Sequence, residues 1–215
     1  MKESVEHVRI IVADDHGIVR MGLIQTIQRV IPNAVITEVE DYKSMYKIIL
    51  NEELDLAIMD VNMPNGTIQE AIDYIKFHKP HLKNLIFSSQ DEELYGLRYL
   101  KMGAGGYLSK QSSTSVIESA LTSMLKTGRY ASEQVKEALF LESLQGSSKN
   151  SPADALSDRE LQIANKLAEG LPLKEISNQL NLHTSTISTY KNRLFEKLKI
   201  KSIPELVEIL RLYNQ

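Results

Sequence analysis

Five short apolar runs, each followed by a longer amphipathic stretch, fill the first 130 residues and leave few folds open. The runs are Val8–Ala13, Ala34–Val39, Leu54–Met59, Asn84–Ser88 and Gly106–Ser109. Several are rich in Val and Ile and flat in polarity, the pattern of strands buried on both faces. The intervening stretches Gly17–Val30, Tyr42–Asn51, Thr67–His78, Asp91–Met102 and Ser113–Thr127 are helix-like. Five strand–helix units in succession predict an α/β unit: a doubly wound five-stranded parallel sheet with helices on both faces.

The pattern then changes. A further helix fits Ser132–Ser143, and Gln145–Ser157, reading QGSSKNSPADALS, has the composition of a flexible linker. Beyond it the strand signal vanishes. Ser157 and Glu160 match a capping box that opens a helix over Asp158–Glu169, stopped by Gly170. A second helix fits Leu173–Leu180, Asn181-Leu182-His183 makes a tight turn, and a third helix fits Thr184–Lys197. Ser202 and Glu205 form a second capping-box match, with Pro204 in the first turn of a last helix reaching Leu212. The expected division is 1–130, then a helix and linker over 131–157, then an all-α unit over 158–215.

With no Cys in the chain, disulfides, thiolate zinc sites, iron–sulfur clusters and Cys nucleophiles are excluded. Met1–His7 is polar where a secretory segment needs an apolar core, and no run approaches 18 apolar residues. The expectation is a cytoplasmic protein with no membrane partner. The net charge of −3 is unevenly placed: residues 1–130 carry 14 basic and 17 acidic side chains, residues 153–215 carry 9 and 8. Within 183–201, Lys191, Arg193, Lys197, Lys199 and Lys201 face only Glu196 in opposite charge.

Ligands of parallel sheets gather beyond the C-terminal strand ends. Strand one ends there in Asp14-Asp15, strand three in Asp60, strand four in Ser88-Ser89 and strand five in Lys110. Each Asp taken singly is a helix cap. Together the carboxylates repel one another, and a bound cation relieves that repulsion. Oxygen donors without thiolates favour a hard ion, Mg²⁺ or Mn²⁺. A metal-bound Asp beside a Lys is a good phosphoryl acceptor, since transfer depends on positioning and charge neutralisation.

These residues resemble the receiver of a two-component response regulator, a flavodoxin-like fold. Val12-Ala13-Asp14-Asp15-His16 resembles its acidic-pair signature, and Asp60-Val61-Asn62-Met63-Pro64 its phosphoacceptor loop. Gly103-Ala104-Gly105-Gly106-Tyr107-Leu108-Ser109-Lys110 is similar to its last conserved stretch. The resemblance runs from residue 8 to about 127. It implies that a histidine kinase phosphorylates Asp60, that Asp14, Asp15, Asp60 and the Asn62 backbone carbonyl hold Mg²⁺, and that Ser88 and Lys110 grip the phosphoryl oxygens. It further implies that Ser88 moves on phosphorylation and Tyr107 turns inward behind it, and that Asn62 and Gln90 tune hydrolysis. The chain departs from the family at Gly17, where Pro is usual, and at Ser89, where Ala is common. The loop after Pro64 looks about one residue short, with Gly66 displaced.

In the C-terminal unit, Ile187, Tyr190, Leu194 and Leu198 define an apolar stripe, and Ser185, Ser188, Thr189 and Asn192 fall opposite. Small polar side chains of this kind suit a recognition helix in a major groove, with the flanking cations on phosphates. A plain helical bundle with a solvated basic face shows the same periodicity. Leu156-Ser157-Asp158-Arg159-Glu160, Glu169-Gly170-Leu171, Lys174-Glu175-Ile176 and Thr186-Ile187-Ser188-Thr189-Tyr190-Lys191 resemble the LuxR-type domain. Joined to a receiver, this is similar to the NarL/FixJ subfamily. It implies that Ser188, Thr189 and Asn192 face bases of double-stranded promoter DNA, with Lys174 and Lys191 on the backbone, and that phosphorylation drives homodimerisation. Ser188 stands where the family often has Lys, Tyr190 replaces a common His, and His183 takes the usual Ser cap, so Thr184 is expected to cap.

The implied protein is no enzyme beyond its own phosphorylation and dephosphorylation. A phosphatase of the haloacid-dehalogenase kind needs Asp two residues after its nucleophile, where Asn62 stands. A regulator independent of phosphorylation would keep the same fold, and so would a protein-interaction module whose helical unit binds no DNA.

Overall fold

The computed structural model describes residues 7–90, 92–145 and 155–213. They form two compact units that divide between Leu141 and Glu142. In the first, five strands, β1 (Arg9–Ala13), β2 (Val35–Val39), β3 (Leu56–Met59), β4 (Lys83–Ser88) and β5 (Gly106–Ser109), pair in the order β2-β1-β3-β4-β5. All four pairings are parallel. The helices are α1 (Gly17–Val30), α2 (Tyr42–Asn51), α3 (Ile68–His78), α4 (Glu92–Met102), α5 (Thr114–Thr127) and α6 (Glu133–Gln145).

Alternation along the strands sorts the core. Ile10, Val12, Leu56, Ile58, Leu85 and Phe87 pack with Leu23 and Ile27 of α1 and Ala120, Leu121 and Met124 of α5. The intervening positions Ile11, Ala57, Met59 and Ile86 are equally buried, as a sheet covered on both faces requires. Thr67 caps α3 with a full capping box through Glu70. α6 begins on the receiver-like unit: Val135 is buried, and its Cγ2 lies 2.8 Å from where a Cβ on Gly96 would stand.

The strand order places the topological switch between β1 and β3, so Asp14 and Asp60 emerge side by side. After Pro64 the left-handed turn falls on Asn65, at φ 65°. Gly66 serves a different need, because a Cβ there would meet Tyr42 Cβ at 2.8 Å.

The second unit contains α7 (Asp158–Ala168), α8 (Leu173–Gln179), α9 (Thr184–Leu198) and α10 (Ile203–Tyr213). Leu161, Ile163, Leu167, Ile176, Ile187, Leu194, Leu206 and Leu210 make its core. The capping box of Ser157 and Glu160 forms. At α10, Glu205 instead takes the Ser202 hydroxyl and the Lys201 amide. His183, not Thr184, is the N-cap of α9, and it makes no side-chain cap bond. The chain turns into the helix one residue before Thr184, which places that hydroxyl inside the first turn. The linker expected over 145–157 lies largely outside the described residues; at its ends Gln145 closes α6 and Leu156 is buried.

Candidate functional site

Each key backbone position lies just past a strand end and is fixed by one further ladder bond. Asp14 N–H donates to Val39 O (3.1 Å), Asp60 N–H to Ala13 O (2.8 Å) and Lys110 N–H to Ser88 O (2.7 Å). The Asp14 and Asp60 side chains are buried, and Lys110 reaches between them. Its Nζ lies 2.8 Å from Asp14 Oδ2 and 3.0 Å from Asp60 Oδ2. Asp15 stands at the rim, its Oδ1 2.6 Å from His16 Nδ1. The structure thus joins Asp14, Asp15, Asp60 and Lys110, as the sequence predicts, and adds His16.

Backbone and side-chain donors orient the carboxylates. Asp14 Oδ1 accepts the His16 N–H (2.8 Å), and Asp60 Oδ1 accepts the Val61 N–H (2.8 Å). Two residues that the motifs do not mark hold the loops. Arg20 donates from Nη1 to Asp14 O (2.6 Å) while its other nitrogens reach Glu38 in β2 (2.8 Å) and Glu40 just past it (2.6 Å). The Tyr42 hydroxyl lies 2.9 Å from Asp60 O and 3.0 Å from Val61 O. No local sequence signal links Tyr42 to Asp60, 18 residues on.

The electrostatics leave room for a cation. Three carboxylates and one ammonium give a formal charge of −2. Burial raises the Asp60 carboxyl above its ordinary range, the Lys110 ammonium pulls it back, and the Asp14 charge adds to the rise. Asp14 Oδ2 is buried against the Lys110 ammonium at 2.8 Å. One donor atom from each of Asp14, Asp15, His16 and Asp60 lies within 4.8 Å of the others. A net-negative cluster of converging oxygen donors fits a divalent ion.

Ser88 ends the adjacent strand β4, fully buried, and its Oγ accepts the Gln90 N–H at 3.2 Å. Tyr107 already sits inward: it is fully buried, its hydroxyl donates to Gln90 O (2.7 Å), and its ring stacks on Tyr99 at 5.8 Å. Gln90 is not an open site residue. It is buried, with Oε1 accepting the Tyr99 hydroxyl (2.8 Å), so it ties Ser88, Tyr107 and α4 together. Asn62 is exposed on the loop two residues beyond Asp60.

In the second unit α8 and α9 enclose a short turn. Leu182 N–H donates to Ser177 O (3.0 Å), and Arg159 Nη2 to Leu180 O (3.0 Å). Ser185, Thr189 and Asn192 are exposed on α9, Ser188 is half-buried, and Lys174 is exposed at the start of α8. The Ser188 and Thr189 hydroxyls donate to Thr184 O (3.1 Å) and Ser185 O (3.0 Å) within α9. Lys191 is half-buried, its Nζ 5.4 Å from the Phe195 ring centre. Lys197, expected among the phosphate-facing cations, instead pairs with buried Glu160 at 2.6 Å. Glu160 already caps α7, and an uncompensated charge at that depth is costly.

Comparison with known proteins agrees with this geometry. Residues 10–122 match the family described as response regulator receiver domain, and residues 154–210 match bacterial regulatory proteins of the luxR family. The chain is 31% identical over 199 residues to the response regulator GacA of Pseudomonas aeruginosa, spanning 93% of each. It is 29% identical over 202 residues to the response regulator UvrY of Escherichia coli K12, spanning 94% of this chain and 93% of that one. Among solved structures, RcsB of Salmonella enterica serovar Typhimurium bound to promoter rprA with the phosphomimetic BeF3- is similar at TM-score 0.60 and 26% identity, over 96% of this chain and 99% of that one. The structure of two RcsB dimers bound to two parallel DNAs is similar at TM-score 0.57 and 26% identity, over 96% and 98%. The chain belongs to the two-component response regulators, in the NarL/FixJ subfamily that joins a receiver to a LuxR-type DNA-binding domain.

Proposed function

We propose that Asp60 accepts a phosphoryl group from a histidine kinase, and that the modified chain dimerises and binds double-stranded promoter DNA. Residues 1–130 act as the phosphoacceptor domain, 131–157 as helix and linker, and 158–215 as the DNA-binding domain. The observation that carries this reading is the buried Asp60, with Lys110 at 3.0 Å and two further carboxylates beside it, at the switch point of the sheet.

Asp14, Asp15, Asp60 and the Asn62 carbonyl would hold Mg²⁺ or Mn²⁺, which supplies charge neutralisation for the transfer. The rest falls to the chain. Lys110 favours the ionised form of Asp60, offsetting part of the effect of burial, and is placed to meet phosphoryl oxygens. Ser88 offers them a hydroxyl from the next strand, and Gln90 passes any movement of that segment to Tyr107 and Tyr99. Phosphorylation adds a charge of about −1.5 to −2 and three acceptor oxygens, enough to reorganise such a segment.

On α9, Ser188, Thr189 and Asn192 face bases, and Lys174 and Lys191 face phosphates. Dimerisation places two such helices on half-sites about one helical turn apart. The chain has no chemistry on outside substrates in this reading, and it works in the cytoplasm. Among the described residues no helix is long and apolar enough to cross a membrane.

The test is DNA affinity and oligomeric state with and without a small phosphodonor plus Mg²⁺, beside Asp60→Ala. Dimerisation and tighter promoter binding that appear only in the wild type support the reading. A wild type whose two properties ignore the phosphodonor overturns it in favour of a phosphorylation-independent regulator.

A further inference from the structure

Tyr42 opens α2 fully buried, and its contacts bracket the loop that follows β3. Its backbone N–H donates to Pro64 O at 3.1 Å. Its hydroxyl lies 2.9 Å from Asp60 O and 3.0 Å from Val61 O, so one proton is shared between two carbonyls. A single residue of α2 therefore holds both ends of the stretch from Asp60 to Pro64. The ring has its own place: a Cβ on Gly66 would stand 2.8 Å from Tyr42 Cβ and 3.1 Å from Cγ. Asp60 O and the Val61 N–H belong to one planar peptide unit. That N–H donates to Asp60 Oδ1 at 2.8 Å, while Lys110 Nζ lies 3.0 Å from Oδ2. Holding the peptide plane at its carbonyl thus aims the amide that orients the carboxylate. A bond to the carbonyl also polarises the peptide and strengthens its N–H as a donor. The two oxygens of Asp60 become unequal: Oδ1 is engaged by the amide, and Oδ2 turns to Lys110.

We propose that Tyr42 is a positioning residue for phosphoryl transfer, its hydroxyl holding Asp60, through the Asp60–Val61 peptide, with Oδ2 as the accepting oxygen. The inference rests on reading Asp60 as the phosphoacceptor. With an acyl phosphate as donor, a bond forms between Oδ2 and phosphorus as the bond from phosphorus to the acyl oxygen breaks. That oxygen keeps the electron pair and leaves as a carboxylate, and no proton moves. What the chain controls is therefore the direction of Oδ2 and the charge around it. Tyr42 is too deeply buried to touch a donor, so its hydroxyl bears on the rate of the bound state and not on donor binding.

The experiment follows phosphorylation of the full-length chain by acetyl phosphate at saturating Mg²⁺, over a range of donor concentrations. Wild type is set beside Tyr42→Phe, which keeps the ring and removes the hydroxyl, and Ile49→Val, which trims a buried α2 side chain that cannot hydrogen-bond. The expected result for Tyr42→Phe is a maximal rate about tenfold lower, with the half-saturating donor concentration changed by less than about twofold. Ile49→Val keeps both wild-type values. A Tyr42→Phe maximal rate within about twofold of wild type overturns the role of Tyr42 and leaves Asp60 as acceptor. An Ile49→Val loss as large as that of Tyr42→Phe also overturns it, because the effect is then one of α2 stability. A wild type that takes up no phosphoryl group overturns both readings. If Tyr42→Phe fails to fold, the wild-type Tyr42 hydroxyl proton decides by nuclear magnetic resonance. Its resonance shifts when beryllofluoride, a phosphoryl mimic, is added with Mg²⁺, and an unmoved resonance overturns the proposal.

Discussion

At Asp60 burial and ion pairing act in opposite directions. Burial outweighs the Lys110 ammonium, so the folded chain holds the proton to higher pH than the unfolded chain does. The folded state therefore binds more protons, and stability falls as pH rises from the ordinary carboxylate range through the raised value. Asp60→Asn removes that penalty. Thermal unfolding at pH 7 should show the receiver unit of the variant melting about 2 °C or more above wild type, with the two converging at acid pH. Lys110→Ala acts in the other direction, since it strands two buried carboxylates. Urea denaturation at neutral pH should show a loss of about 3–5 kcal/mol, and near-wild-type stability would mean that the ammonium does not hold the pair. The Asp, Ser and Lys residues of this site are legible in the sequence because each stands just past an apolar run. Arg20 and Tyr42 are not, because their work is to hold backbone carbonyls remote along the chain.

Among the elements, α9 shows how local sequence and tertiary demand divide. Its stripe of Ile187, Leu194 and Leu198 is readable from helical spacing, and all three are buried. Tyr190 of the same stripe is only half-buried, because its ring reaches the surface beside Arg193. The helix ends at Lys199, in the left-handed region at φ 56°, with its N–H on Glu196 O and Phe195 O. A side chain with a Cβ is strained there, and Gly is not. Lys199→Gly should stabilise the DNA-binding unit by up to about 1 kcal/mol in chemical denaturation, and a destabilised variant would show that the lysine side chain contributes more than its backbone strain takes away. The turn after Pro64 makes a similar point. The left-handed conformation is carried by Asn65, and Gly66 is needed because Tyr42 crosses above it.

For the whole molecule, a net charge of −3 means that attraction to DNA is local to the C-terminal unit. Its basic residues do different work there. Lys197 is held by Glu160, whereas Lys191 lies near the Phe195 ring with no carboxylate partner among the described residues. Lys191→Ala should weaken promoter binding and shallow the salt dependence of affinity by about one unit of logarithmic slope per protomer. Lys197→Ala should leave that slope unchanged and lower the stability of the unit by about 1 kcal/mol, a modest loss because the lysine is part-exposed. A steep loss of slope in Lys197→Ala would return that residue to the DNA-facing set.

The sequence by itself determined the two-part architecture, the five strand–helix units, the helix-turn-helix and the carboxylates with Lys110 at the strand ends. Those features follow from periodicity and from which residue succeeds each apolar run, and both are local properties of the chain. Only the tertiary structure decided which groups support the site and which cations are free. His16 joins the acidic cluster, Arg20 and Tyr42 brace its loops, Gln90 is drawn into the α4 core, and Lys197 is taken up by Glu160. The physical reason is the same each time. A polar group seeks the nearest unsatisfied partner in space, and burial makes leaving that partner unmet costly. The strand order β2-β1-β3-β4-β5, set by packing helices on both faces of one sheet, decides which neighbour that is.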